Sequence, residues 1–402
     1  MRRCRHPDPS HSRPHRRRAG RLTGPARRFA AYYFFYFAFV GVFSPYWSLY
    51  LKHLGFGAFD IAVLMSLLQV TRVFAPALWG WLADHLGRQA VVVRAAALAG
   101  MLVFLPVFWV RDFAGMFATM LLIAFFWSAS LPLVEAMTLG HLDRNTAHYG
   151  RIRLWGSVGF VLTVLGCGWW LDHASIDALP WLVLALLAGI AAFAWRLPDA
   201  SRDTQIHADS LRDVLRQPAV WALLGACALM SVAHGPYYTL FSVYLAEHGY
   251  SKGAIGSLWA VGVVFEIGIF MVMPHLVARW GFLRILQATF WLGTLRFAVI
   301  ALMVDSLIPL LLAQTLHAAT FAAFHASAVA AVHQTFRGPH QAKGQALYTS
   351  LSFGVGGTVG GLLGGSLYEV AGGTGAFLMS AVATALGGLI LALSSGTRDR
   401  SA

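Results

Sequence analysis

Arg72 and Glu266 each stand inside a long apolar stretch, and so do Glu135, His234, Arg296, His317 and His325. An ionisable group at membrane depth is costly and faces a partner or a water-filled path, so each is a functional candidate. Guanidinium is a permanent cation that grips a carboxylate with two parallel hydrogen bonds, which makes Arg72 the expected seat of an anionic ligand. Arg72 lies eight residues before Gly80, about 12 Å up a helix. Glu266 can take up and release a proton, and His234, His317 and His325 could relay one, since histidine titrates near neutral pH. Glu135 follows Pro132 and either serves a proton exit path or pairs with Arg151 or Arg153. Glu266 could alternatively neutralise Arg296 permanently.

The chemistry so described is anion binding and proton exchange. His317 and His325 are eight residues apart, unlike a metal pair, and Cys4, Cys167 and Cys227 show no ligand spacing, so no metal or other cofactor is expected. No nucleophile and base are paired, which argues against an enzyme. The glycines at 354, 356, 357, 360, 361, 364 and 365 lack a following Lys-Ser/Thr and sit in an apolar stretch. They predict a surface for close helix packing rather than a phosphate loop, and no ATP-driven chemistry.

The elements that must position these groups are membrane helices. The chain is 58% hydrophobic and 12% charged over 402 residues, against roughly a quarter charged in soluble domains. A hydrocarbon core of ~30 Å takes about 20 apolar residues per helix. Twelve blocks of that length are present, at about 29–51, 59–82, 90–110, 114–138, 154–171, 178–195, 219–245, 254–276, 285–304, 307–332, 345–369 and 374–394. The expected fold is therefore an all-α polytopic membrane protein.

Charge orients it. Residues 1–28 carry ten of the 30 Lys and Arg with Asp8 the one acid, and read as a disordered basic tail rather than a cleaved signal or a nucleic-acid arm. Of the other basic residues, fifteen fall in loops on the N-terminal side, three (Lys52, Arg111, Lys252) on the opposite side, and two inside helices. This asymmetry predicts both termini in the cytoplasm of a cell inner membrane and an even number of spans.

Residues 197–218 form the one long internal polar stretch and divide the blocks six and six, giving a half at 29–196, a half at 219–394 and a short tail at 395–402. Sliding the chain by 194 residues aligns 41–87 with 235–281 without a gap, and ten of the 47 pairs are identical. They include Gly41/Gly235, Tyr50/Tyr244, Leu51/Leu245, Gly55/Gly249 and Gly87/Gly281. The same shift carries Arg72 onto Glu266. Two pseudo-symmetric six-helix halves with a site between them near midplane are a transporter architecture.

The run Gly80-Trp81-Leu82-Ala83-Asp84-His85-Leu86-Gly87-Arg88-Gln89 resembles the signature loop between the second and third helices of the major facilitator superfamily. It keeps Gly80, Leu82, Asp84, Gly87 and Arg88, with His85 and Gln89 at two positions that are basic in the family. Within that superfamily the chain resembles permeases related to the bacterial 3-phenylpropionate transporter. The likeness rests on Phe43-Ser-Pro-Tyr-Trp-Ser, Tyr149-Gly-Arg-Ile-Arg-Leu-Trp-Gly-Ser, His234-Gly-Pro-Tyr-Tyr, Gly262-Val-Val-Phe-Glu and Leu316-His.

The resemblance implies secondary active transport by alternating access, with helices 1, 4, 7 and 10 lining the path. Gly80, Asp84, Gly87 and Arg88 would form the cytoplasmic gate, Asp84 and Arg88 pairing to hold it. Proton-coupled uptake of a small aromatic or other organic carboxylate is the leading expectation. Arg72, Tyr46, Tyr237 and His317 would bind substrate, and Glu266, His234, His325 and Glu135 would carry the proton. The expected partners are an organic anion, protons and the bilayer, with a monomeric chain. The competing readings are proton-linked export of amphipathic compounds, nucleoside:proton symport and, from another class, a transport-dead receptor. Titratable groups in both halves argue against the last.

Overall fold

A computed structural model describes residues 24–142, 146–199 and 212–399. Every regular element among them is helical, because backbone N–H and C=O groups in hydrocarbon must find partners within their own segment. The spans are α1 (Gly24–His53), α2 (Ala58–Leu86), α3 (Gln89–Phe108), α4 (Phe113–His141), α5 (Tyr149–Leu171), α6 (Ile176–Ala194), α7 (Pro218–Glu247), α8 (Lys252–Trp280), α9 (Phe282–Leu302) and α10 (Leu307–Thr335). The last helical run, Gln341–Ser394, is 54 residues long, about 80 Å of helix against a core of ~30 Å. It turns at Gly372, whose φ of +65° and ψ of −173° suit glycine alone. Thr374 meets Tyr244 near the end of α7, and the Gly388 carbonyl accepts from Gln287 near the start of α9. The run is therefore two antiparallel spans, α11 (341–371) and α12 (373–394), and the described residues hold twelve in total.

The expected tail at 1–28 lies outside the described residues up to 23, and 24–28 already belong to α1. Of the central stretch 197–218, residues 200–211 lie outside them, as do 400–402 of the C-terminal tail and Arg144.

The repeat is written into the backbone. Helices α1 and α7 end 194 positions apart, at 53 and 247. Helices α2 and α8, both 29 residues, begin and end 194 positions apart, at 58 and 252 and at 86 and 280. α1 and α7 end in matching caps. Gly55 (φ +92°) and Gly249 (φ +81°) take the left-handed conformation. The Phe56 N–H reaches the Leu51 carbonyl at 3.2 Å, as Tyr250 reaches Leu245 at 3.1 Å. The paired bonds satisfy the last carbonyls of each helix. Gly41 and Gly235 also play one role. A Cβ at Gly41 would lie 2.7 Å from the Phe160 carbonyl oxygen, and one at Gly235 would collide with the Gly360 backbone, so α1 packs on α5 as α7 packs on α11.

The α11 glycines pack in two directions. Gly356 and Gly364 abut Ala228 and Pro236 of α7, while Gly354 and Gly365 abut Val73 and Ala62 of α2, in the other half.

At the end away from the α2–α3 turn the halves are tied by polar contacts. Lys52 Nζ meets Glu247 Oε1 at 3.0 Å, and the Tyr368 hydroxyl donates to the other oxygen of Glu247. Asp172, after α5, accepts from the Lys252 and Gly253 N–H groups at 2.7 and 2.9 Å and caps α8. Glu369, at the end of α11, accepts from the Phe59 N–H at 3.1 Å and caps α2. The two caps are repeat-related, each half closing a helix of the other, and a carboxylate there meets the positive end of the helix dipole. At the basic end the Ser350 hydroxyl donates to the Val73 carbonyl at 3.5 Å.

Candidate functional site

The second half holds a cluster centred on Arg296 of α9, which is 0% exposed. Its Nη1 lies 3.2 Å from His234 Nε2 and 3.1 Å from Thr320 Oγ1, and its guanidinium sits 4.4 Å above the Tyr237 ring and 4.9 Å from that of Phe297. Aromatic faces partly replace the water this cation has lost. Among the described residues, Nε and Nη2 have no hydrogen-bond partner. Thr320 belongs to a π-helical turn at Ala319–Ala323 in α10, a wide turn common at functional sites. His234 Nδ1 lies 2.8 Å from the Met230 carbonyl, which only accepts, so Nδ1 carries a hydrogen. Nε2 then presents its lone pair to Arg296, and the ring is the neutral Nδ1–H tautomer.

Glu266 of α8 does not neutralise Arg296 directly. Its Oε1 is 2.8 Å from His317 Nε2, with side-chain exposures of 13% and 5% for Glu266 and His317. Arg296 acts on Glu266 at longer range. Gly262, one helical turn before Glu266, makes room for the imidazole, since a Cβ there would lie 3.0 Å from His317 Cδ2. Beside the pair, the Tyr237 hydroxyl donates to Gln314 Oε1 at 3.0 Å, while Gln314 Nε2 and His317 Nδ1 have no partner among the described residues. The ring of Tyr237 packs on those of His317, Phe241 and Trp259 at 5.2, 4.8 and 4.6 Å.

The first half contributes cations. Arg72 of α2 is half-buried and makes no hydrogen bond or ion pair among the described residues. Its charge acts on Tyr36 of α1 and on Tyr238 of α7. Tyr36 stacks on Trp127 of α4 at 4.8 Å and 9°. Glu135 pairs with Arg153 at 3.9 Å and accepts from the Tyr149 hydroxyl at 3.3 Å. Arg153 lies 3.9 Å from the centre of the Phe37 ring, and its charge also acts on Glu266 in the other half.

The structure thus brings Glu266, His317, His234 and Tyr237 together, and places Arg72 and Glu135 in the facing half. Three expected residues lie elsewhere. Tyr46 is buried with its hydroxyl donating to the Val164 and Lys252 carbonyls at 2.7 and 3.3 Å, which makes it a joint between α1, α5 and α8. His325 packs near Tyr348 and Phe353, with ring centres 6.4 and 6.0 Å away, and does not extend the His234–His317 pair. Arg88 pairs with Asp199 at 3.6 Å rather than closing onto Asp84, whose carbonyl accepts from the Gly87 N–H. Gly87 (φ +62°) caps α2, whereas a Cβ at Gly80 would meet nothing within 4 Å, so Gly80 is not a close-packing glycine.

Sequence reasoning left Arg296 as a possible structural partner and counted Arg153 as a loop residue. The signal for Arg296 was its place inside an apolar block; for Arg153, the apolar run that begins at Leu154. Gln314 and Thr320 carry no charge and gave no signal against a background of apolar neighbours.

Residues 26–379 match the profile of the MFS_1 like family. The chain is 29% identical over 359 residues to a protein of Escherichia coli described as a probable 3-phenylpropionic acid transporter, covering 87% of this chain and 93% of that one. It is 28% identical over 265 residues to the maltose permease of Geobacillus stearothermophilus, covering 64% of this chain and 66% of the relative. The crystal structure of the nucleoside transporter NupG superposes with a TM-score of 0.77 at 18% identity, over 92% of this chain and 99% of the other. Twelve spans in two repeat-related halves, charged groups between them and these likenesses agree: the chain is a multi-pass membrane transporter and belongs to the MFS_1 like family of the major facilitator superfamily.

Proposed function

We propose that the chain couples proton entry to uptake of a small aromatic or other organic carboxylate, of which 3-phenylpropionate is the first to test. One observation carries the reading. At repeat-related positions the first half presents a cation with no ionic partner among the described residues, Arg72, and the second half presents a carboxylate paired with an imidazole, Glu266 and His317. The carboxylate docks on Arg72, and the aromatic ring meets Tyr36, Trp127 and Tyr238. Glu266 and His317 take one proton between them, and Tyr237, Gln314 and Arg296 fix their geometry. Arg153, within electrostatic reach of Glu266 and paired with Glu135, lets the first half respond to that proton. The likeness to a probable 3-phenylpropionic acid transporter supports the substrate class.

The basic end is the cytoplasmic end in this reading, by the distribution of Lys and Arg. The contacts of Lys52, Asp172 and Glu369 then close the outer side, and the conformation faces inward. Binding energy favouring one conformation over the other drives the exchange between them.

The neutral-substrate reading, nucleoside:proton symport, draws on the buried amide of Gln314, whose Nε2 is a donor without a partner among the described residues. Uptake of radiolabelled 3-phenylpropionate into proteoliposomes, with and without an inward proton gradient, separates the two. Gradient-driven accumulation lost in Arg72→Ala supports the carboxylate reading. Accumulation of uridine but not of 3-phenylpropionate overturns it.

A further inference from the structure

Three arginines, one from α1, one from α3 and one from the turn after α6, converge at the C-terminal end of α6. Arg94 of α3 donates from Nη2 to the Leu197 carbonyl at 2.7 Å and from Nε to the Ala194 carbonyl at 3.4 Å. Arg28 of α1 donates to the Arg196 carbonyl at 3.4 Å, and the Arg196 guanidinium lies 5.1 Å from the centre of the Phe193 ring. Cations at a helix C-terminus complete its dipole, which accounts for Arg94. It does not account for three of them. Among the described residues no carboxylate lies within ion-pair distance of Arg28, Arg94 or Arg196. The acid nearby in sequence, Asp199, is taken by Arg88 at 3.6 Å and by the Ala90 N–H at 2.9 Å.

The surroundings have the shape of a lipid. Trp195, 60% exposed, lies 6.0 Å from the Arg94 guanidinium, as an indole at the level of the headgroups would. From Arg94 the same face of α3 continues into the bilayer through Leu98 and Leu102, 38% and 51% exposed, one and two turns along. A charged head held by guanidinium groups, with an apolar rail below it, fits a phospholipid and gives a soluble phosphate no use for the rail. We propose that the end of α6, with Arg28, Arg94 and Arg196, is a binding site for an anionic phospholipid of the leaflet at the basic end. The site lies at the outer edge of the first half and is separate from the Arg72 and Glu266 groups.

The test uses the full chain, delipidated and placed in phosphatidylcholine nanodiscs, titrated with phosphatidylglycerol and read by native mass spectrometry. A basic residue at a membrane surface contributes about 1 kcal/mol toward an anionic lipid, or about fivefold in affinity. Arg28→Gln and Arg196→Gln should each weaken phosphatidylglycerol binding about fivefold, and together about 25-fold, by the same figure. Neither touches the two bonds by which Arg94 holds α6, so folding is preserved. Excess glycerol 3-phosphate, the head without its chains, should leave the lipid bound. Equal retention of phosphatidylcholine, unchanged affinity in the double variant, or full displacement by glycerol 3-phosphate would each overturn the proposal.

Discussion

Arg72 and Glu266 occupy equivalent positions of the repeat, 194 residues apart, yet stand in opposite states. Glu266 is closed onto His317 at 2.8 Å, while Arg72 makes no hydrogen bond or ion pair among the described residues. The repeat supplies two equivalent positions, one filled by a guanidinium and the other by a carboxylate. That asymmetry is what a device binding an anion together with a proton requires, and it leads to four expectations.

Arg72→Ala should weaken substrate binding by about 10- to 100-fold, the effect of losing a charge-assisted hydrogen bond of about 1.5–3 kcal/mol. Arg72→Lys should recover part of it, since an ammonium keeps the charge but not the two-pronged geometry. Substrate titrations followed by tryptophan fluorescence, with melting temperature as the control for folding, measure both. Unchanged affinity in the alanine variant would remove Arg72 from the site.

Glu266→Gln should separate binding from coupling. In the wild type, acidifying the outside should raise uptake if, as proposed, each inward cycle carries a proton. The variant should lose this dependence and accumulation against a gradient, while still exchanging labelled for unlabelled substrate. A variant that keeps gradient-driven accumulation would show that another group carries the proton.

Arg296→Leu removes a buried cation while leaving Glu266 behind. His234 Nε2 and Thr320 Oγ1 would lose their buried donor, at about 1–3 kcal/mol, so the melting temperature in detergent should fall. Adding Glu266→Gln should restore part of the loss, since it removes the stranded charge. Simple additivity of the two effects would mean that Arg296 and Glu266 do not interact.

Asp172→Ala and Glu369→Ala each remove a cap from a helix of the opposite half, a change of about 0.5–2 kcal/mol. Either should open the end at which Lys52 meets Glu247, and the two together should open it further. Spin labels on α1 and α7 near that end would report a longer mean distance. An unchanged distance distribution in the double variant would show that the packing of α11 against α2 holds that end alone.

The sequence by itself determined the fold class. Hydrocarbon admits few backbone solutions, so twelve apolar blocks dictate twelve helices, and the repeat at 194 residues dictates two matching halves. Gly55 and Gly249 stood out in the sequence as a matched pair of the repeat, and the structure shows that both end their helices by the left-handed turn that glycine permits. The ionisable groups inside the spans were visible for the same reason, because charge among apolar neighbours stands out. Their partners were not. Whether Glu266 meets His317 or Arg296, whether Arg88 meets Asp84 or Asp199, and whether Tyr46 faces substrate or two carbonyls depends on helix rotation and depth. Those are fixed by packing between segments far apart in the chain. Only the tertiary structure decided that Arg296 lies buried under Tyr237 and that Arg153 packs on Phe37 beside Glu135. The physical reason is that a carboxylate or guanidinium pairs with whatever the neighbouring helix presents within a few ångströms.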